Sequence, residues 1–284
     1  MPSWKYMPNR IPHILSIAGS DSGGGAGIQA DLKTMSAFGV FGMTAITAVT
    51  SQNSLGVHWI EHLSCQSVDT QIHAVTADFG VNAVKIGMLG SVEMVNCVAQ
   101  AITKYQLSQT VLDPVLVATS GAALADKSTA QALVEHLFPI VSDITPNLYE
   151  ASIFLGREIK NVSQMEQAAI DLLQMGPQAV LLKGGHLENT DSIDDVLVYQ
   201  HGEDTHIRHF PHSKIITKNT HGTGCSLSSA IACGLGGGLS LEEAVDVAIG
   251  FVQQALLHGS QLTMTLGSGP IWHAYEHFPQ LETK

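Results

Sequence analysis

Charge is scarce in this chain, and positive charge scarcest of all. Only 13% of the 284 residues are charged, and 13 Lys and Arg stand against 25 Asp and Glu, for a net charge of -12. A nucleic-acid backbone or an anionic membrane surface would be repelled, so neither is an expected partner. A single small anion held by local N–H groups is not excluded by that balance. No uninterrupted apolar stretch reaches membrane-spanning length. Residues 1–12 are polar around Trp4 and Tyr6 and lack the apolar centre of a signal peptide, so a soluble, cytoplasmic protein is expected. The four cysteines, Cys65, Cys97, Cys225 and Cys233, show no C-x-x-C spacing, and reduced thiols are expected. A polar linker and a repeat period are missing too. One domain over residues 13–284, behind an N-terminal extension of residues 1–12, is therefore the expected organisation. With 45% hydrophobic residues, that domain can bury a sizeable core.

Several familiar site patterns are absent as well. There is no G-x-x-x-x-G-K-[ST] phosphate loop. The glycine-rich residues 23–27 lack the G-x-G-x-x-G order, and no acidic residue follows about 20 positions on, which argues against a dinucleotide. In Gly19-Ser20-Asp21-Ser22-Gly23 the central position of a nucleophile elbow is held by Asp21 rather than serine. His206, His209 and His212 are three apart, so on a strand successive rings point to opposite faces. With Pro211 among them, a solvated hairpin surface is expected rather than a metal site.

What is present is a repeated alternation. Residues 14–18 read as a buried strand running into the glycine loop, and Ile28, Leu32, Met35 and Phe38 then take helical spacing. Apolar runs at 43–49, 83–88, 110–112, 141–145 and 179–182 alternate with helical periods such as Val92, Val95, Val98 and Ile102. Residues 196–199 and 206–210 pattern as an antiparallel hairpin at a sheet edge. Strand, turn and helix in repetition predict a mostly parallel sheet covered on both faces. Ligands gather beyond the carboxyl ends of such strands. Those ends carry Gly19-Ser20-Asp21, Gln52-Asn53, Gly87-Met88, Asp113, Asn147 and Lys183. Lys183 reads either as a snorkelling strand-end lysine or as a phosphate counter-charge.

The densest polar stretch is Asn219-Thr220-His221-Gly222-Thr223-Gly224-Cys225, which opens a helix-forming segment. Unpaired N–H groups and partial positive charge at a helix start suit an anion, phosphate above all. Cys233 falls among apolar residues and reads as an inert core thiol. Cys225 opens the helix, where a thiolate is expected to be favoured and could accept a proton from a substrate hydroxyl.

Residues 18–34, from Ala18-Gly19-Ser20-Asp21 to Asp31-Leu32-Lys33-Thr34, resemble the opening of the hydroxymethylpyrimidine and phosphomethylpyrimidine kinases of thiamin synthesis, in the ribokinase-like superfamily. The similarity continues in order through Ser51-Gln52-Asn53, Lys85-Ile86-Gly87-Met88, Asp113-Pro114-Val115, Asn147-Leu148-Tyr149-Glu150, Lys183-Gly184-Gly185-His186 and Asn219 to Cys225. It implies a three-layer α/β/α sandwich, mostly parallel, with an antiparallel edge hairpin. It also implies ATP and Mg2+ as cofactors and a homodimer. The implied activity is phosphorylation of 4-amino-5-hydroxymethyl-2-methylpyrimidine and then of its monophosphate. By the same resemblance Gln52 binds the aminopyrimidine beside Gly19, Met88 and Val115, with Asp31 contributing. Asp113, Asn147, Lys183 and Thr223 fall to the nucleotide, and Glu150 to magnesium through water. Gly222, Gly224 and Cys225 form the anion hole, Cys225 being the base. Ser226 stands where threonine is expected, Thr119 where lysine is common, and residues 267–273 follow the pattern loosely. The alternatives are a pyridoxal kinase of the same branch and a non-catalytic pyrimidine-binding protein.

Overall fold

A computed structural model describes residues 11–118, 121–122, 124–185 and 192–276. Residues 1–10 of the expected extension, Thr119 and His186 lie outside the described residues. The strands are β1 (His13–Asp21), β2 (Phe41–Asn53), β3 (Gly56–His62), β4 (Ala83–Ile86), β5 (Thr110–Leu112), β6 (Asp143–Ile144), β7 (Ala179–Leu182), β8 (Ser192–His201) and β9 (Asp204–Ser213). Among the described residues they form one sheet in the order β3-β2-β1-β4-β5-β6-β7-β8-β9. The run from β2 to β7 is parallel throughout. The expected hairpin is present, with Val196 opposite His209 and Tyr199 opposite His206.

Antiparallel pairing occurs at both edges, not one. The polar residues after the apolar run at 43–49 extend β2 to Asn53, and the chain folds back through Ser54 and Leu55 into β3. Pro211 does not interrupt β9, because an edge strand has a free side where a missing N–H costs nothing.

The helices are α1 (Gly27–Phe38), α2 (Cys65–Asp78), α3 (Val92–Lys104), α4 (Lys127–Ala132), α5 (Leu148–Leu155), α6 (Val162–Leu173), α7 (Thr223–Gly236) and α8 (Leu241–Ser260). Two apolar cores sandwich the sheet: α2 to α6 build one, and α1, α7 and α8 the other. Strand alternation distributes the side chains between them. Leu15 and Ile17 of β1, with Val84 and Ile86 of β4, enter the first core; Ile14 and Ala83 enter the second. Phe38 of α1 meets Phe251 of α8 edge to face at 5.1 Å, an arrangement worth roughly 0.5–1.5 kcal/mol beyond area burial. Gly39 ends α1 with φ 72, a conformation glycine adopts without a Cβ penalty.

The expectation of four reduced thiols is corrected for one pair. Cys65 and Cys97 form a disulfide between α2 and α3, whose Cα atoms lie 5.8 Å apart there. Their spacing of 32 residues carries no sequence signature, since packing of the two helices on one face brings them together. Cys225 and Cys233 remain free. No helix among the described residues is long and apolar enough to cross a membrane.

Candidate active site

Strand order reverses between β1 and β4, since β1 connects to β2 on one side while β4 begins the march toward β7 on the other. Beyond these strand ends a cleft of about 670 Å³ opens, where such sheets bind ligands. Gly19, Gln52, Met88, Asp113, Val115, Asn147, Glu150, Lys183 and residues 222–225 all line it.

Asp31 does not, which corrects its place in the expected set. It lies on the apolar side of α1 with Ile28 and Met35, fully buried, and pairs with Lys85 of β4. A charged group on that helix face must find partners inside the protein, and it does.

The glycine loop is organised by Asp21. Its carboxylate accepts from the N–H groups of Gly23 at 2.8 Å, Gly25 at 3.0 Å and Ala26 at 2.8 Å, and its Oδ2 lies 2.9 Å from Nε2 of His221. Burial pushes the Asp21 carboxyl up, but His221 and the backbone N–H groups outweigh it and hold it below the usual range. The loop is thereby strapped to the start of α7. A Cβ on Gly222 would run into the Gly25 carbonyl oxygen, so the two backbones can meet only at glycine. Gly222 also has φ 85, and no side chain caps α7. The turn from His221 to Cys225 thus presents helix-start N–H groups to the cleft.

One end of this turn meets Gln52, whose side-chain amide nitrogen is 3.2 Å from His221 Nε2. Gly19 leaves room for Met88, whose sulfur would lie 3.3 Å from a Cβ there. At the other end, a Cβ on Gly224 would lie 3.3 Å from Lys183 Nζ, which donates to Asp113 Oδ1 at 3.1 Å. Burial opposes the Lys183 charge, yet Asp113 and Glu150 hold its ammonium above the usual range. Lys183 is therefore no snorkelling lysine; its head points inward.

Asn147 and Glu150 form a reciprocal cap on α5, each backbone N–H bonded to the other's side chain at 2.9 Å. The Asn-x-x-Glu spacing is a capping-box signature as much as a ligand motif. Burial, chiefly, raises the Glu150 carboxyl to about 7; Lys183 pulls it down and Asp113 pushes it up.

Cys225 departs from expectation. Its residue is half-buried on the cleft, but the surrounding protein desolvates the thiol and pushes it up to about 11. Lys85 and the Gly27 N–H pull the other way without winning. Position at a helix start does not suffice for a low-pKa thiol when burial is this deep.

Sequence reasoning missed Asp21 and His221 as site-builders and Lys85 as a floor residue. The histidine triad also divides unevenly. His206 stacks on Tyr199 and His209 reaches Asp194 and Glu166, both in solvent. His212 instead lines the cleft, with Nε2 3.1 Å from Asp195 Oδ2 and Nδ1 2.9 Å from Gln253. Ser226, where threonine is expected, bonds Gly222 O and lies 2.8 Å from Nε2 of His273, tying residues 267–273 against α7.

The family model for phosphomethylpyrimidine kinase matches residues 21–272. The hydroxymethylpyrimidine/phosphomethylpyrimidine kinase of Rhizobium meliloti is 45% identical over 260 residues, which cover 91% of this chain and 96% of that protein. A chloroplastic bifunctional thiamine biosynthetic enzyme of Arabidopsis thaliana is 44% identical over 94% of this chain, which spans about half (51%) of that longer protein. Among solved structures, the ADP complex of Bacillus subtilis pyridoxal kinase superposes with a TM-score of 0.83 at 35% identity, covering 95% of this chain and 100% of that one. With the α/β/α sandwich, the cleft at the strand-order reversal and the uncapped glycine turn all in place, this chain belongs to the phosphomethylpyrimidine kinase family.

Proposed function

We propose that the chain uses ATP to phosphorylate the hydroxymethyl group of 4-amino-5-hydroxymethyl-2-methylpyrimidine and then phosphorylates the monophosphate, as a step of thiamin synthesis. One observation carries this reading: a single anion-binding turn spans from Gln52 to Lys183 within one cleft. Gln52 offers a donor and an acceptor to an aminopyrimidine edge, while Gly19, Met88 and Val115 supply a flat apolar slot. Lys183, Thr223 and the N–H groups of residues 222–225 take the transferring phosphates, with Asp113 and Asn147 beside them. Phosphoryl transfer is chiefly positioning and neutralisation of charge, which these groups provide. Cys225 accepts the alcohol proton in the first step; the second has an ionised phosphate oxygen as nucleophile and needs no base.

Mg2+ fits the same edge. Asp113, Asn147 and Glu150 present oxygen donors of the kind it prefers, and two carboxylates against one ammonium leave negative charge to satisfy. Among the described residues no cluster of three or more His, Cys, Asp or Glu side chains forms a closed cage. The ion would therefore be held largely by phosphate oxygens and water, with Glu150 acting through water. Bound there, it supplies neutralisation of phosphate charge.

The pyridoxal kinase reading is supported by the likeness to the Bacillus subtilis enzyme, since pyridoxal is also a flat ring with a hydroxymethyl arm. A cytoplasmic homodimer belongs to the proposal too; Trp59, 65% exposed on edge strand β3, offers apolar surface for a second copy, and sedimentation velocity decides it. ADP release measured in parallel with the aminopyrimidine alcohol, its monophosphate and pyridoxal tests the function. Preferred turnover of pyridoxal would sink the main reading, and no magnesium-dependent ADP release with any of the three would leave only a binding protein.

A further inference from the structure

Lys85, which lines the same cleft as Cys225, belongs to a charged pair that the proposed reaction leaves unused. Lys85 is 0% exposed, within a strand whose four residues are all buried. Its Nζ contacts both oxygens of Asp31, at 2.9 Å and 3.0 Å. The same carboxylate accepts from Ser16 Oγ of β1 at 2.6 Å and from Ser229 Oγ of α7 at 2.7 Å. Four elements of the fold thus converge on one carboxylate, and every partner is inside the protein.

Stability alone is a poor reason for such a pair. Replacing a buried ion pair by apolar residues of similar volume is often neutral or stabilising. The position of the pair suggests more. Lys85 and Cys225 both line the cleft, whereas Asp31 stands behind the lysine, away from it. Gly87 keeps the space open, because a Cβ there would come within 2.7 Å of Lys85 Nζ. Ser229, which Asp31 holds, follows Cys225 by one turn of α7, so the carboxylate fixes both the lysine and the rung that carries the thiol.

The fields agree with that geometry. Burial is the largest influence on the Cys225 thiol and raises it; Lys85 comes next and lowers it, ahead of the opposing push from Asp113 and Asp31. Reciprocally, burial works against the Lys85 ammonium, and Asp31, Cys225 and Asp113 hold it charged. The other groups bearing on this floor are Lys183 beyond β7 and the Gly27 N–H at the start of α1.

We infer that Lys85, locked by Asp31, is a positioning residue for Cys225 and stands as counter-ion to the thiolate that accepts the alcohol proton. The inference rests on the reading of Cys225 as base. In the first transfer the alcohol O–H bond breaks toward the thiolate sulfur. The oxygen bonds the terminal phosphorus of ATP, and ADP leaves with the electron pair of the broken P–O bond. The thiol later returns its proton to solvent, and Lys85 keeps all of its own.

The test is alkylation of Cys225 by iodoacetamide across the neutral to alkaline range, read by peptide mass spectrometry, on the parent protein and Lys85→Met. Because Lys85→Met strands the Asp31 charge, Lys85→Met/Asp31→Asn is measured beside it, with a thermal melt on each. Loss of a neighbouring opposite charge moves an ionisation midpoint by about one to three units. The Cys225 midpoint should therefore rise by about one unit or more, with roughly tenfold slower alkylation near neutrality. In the double variant a smaller rise is expected, since the Asp31 push on the thiol is lost with the lysine. Turnover of the alcohol should fall with the thiolate fraction, and by about tenfold more than turnover of the monophosphate. A folded variant with an unchanged alkylation profile overturns the inference, as does equal loss of both steps without a shift in that profile. If the profile shifts but Cys225→Ala still phosphorylates the alcohol, the base reading fails and the counter-ion role stands.

Discussion

The thiol of Cys225 makes a steep prediction about pH. With the group raised to about 11 by burial, only about one site in a thousand carries a thiolate at pH 8. An ordinary cysteine with a pKa near 8.5 would be ionised in roughly one quarter of molecules there. A base that must first be deprotonated contributes in proportion to that fraction, so turnover of the alcohol should climb about tenfold per pH unit through the mildly alkaline range. The climb should continue until the thiol is ionised or the fold fails. Turnover of the monophosphate should stay nearly flat above neutrality, because its nucleophile is already ionised. Initial-rate ADP release with saturating ATP and each substrate, at half-unit pH steps, gives both profiles on one enzyme preparation. Parallel profiles for the two substrates would refute the division of labour. A plateau in the alcohol profile below about pH 9 would mean that bound ligands drop the thiol far more than the protein alone does.

Other expected outcomes follow from single contacts. Gln52→Leu should raise KM for the aminopyrimidine by about tenfold or more, as loss of a hydrogen-bonding side chain from a buried polar edge costs roughly 1–3 kcal/mol, and pyridoxal turnover run alongside shows whether the loss is specific. Burial raises the Asp143 carboxyl from 3.8 to about 7, so the folded state holds a proton that the unfolded chain has released, and stability falls as pH rises between those values. Asp143→Asn should therefore stabilise at pH 8, by up to the order of 4 kcal/mol, with the gain gone by about pH 4; thermal melts at both pH values check it. Cys65→Ser/Cys97→Ser opens a loop of 32 residues and should lower stability by about 4 kcal/mol in urea titration while leaving KM for ATP unchanged.

Much of the architecture was legible because strand runs and polar strand ends recur in register along the chain. The cleft gathers Gly19, Gln52, Met88, Asp113, Asn147 and Lys183 as that punctuation predicts. What escaped were interactions between distant charged residues. A lysine inside the apolar run at 83–88, and an aspartate three residues after Ile28 on a helix face, were each visible as anomalies; their pairing was not, because it depends on how α1 lies across β4. The expected thiolate failed for a different reason. Sequence shows the helix start but not how completely protein surrounds the sulfur, and depth of burial sets the sign here. β3 was overlooked because Gly56 to His62 mixes apolar and polar residues on a half-solvated edge, where alternation is weak.

The strap between Asp21 and His221 joins residues 200 positions apart in the chain, and the bond between Ser229 and Asp31 spans 198. During synthesis the parallel strands β1, β2 and β4 to β7 can associate while α7 has not yet left the ribosome, since their pairings need nothing beyond Leu182. The glycine loop and the anion-binding turn have no such option, for each is shaped by the other. Closing so long a loop costs entropy before any contact repays it. Catalytic competence should therefore arrive as the last event of folding, and a nascent chain halted before Thr220 would hold most of its sheet but no place for a phosphate.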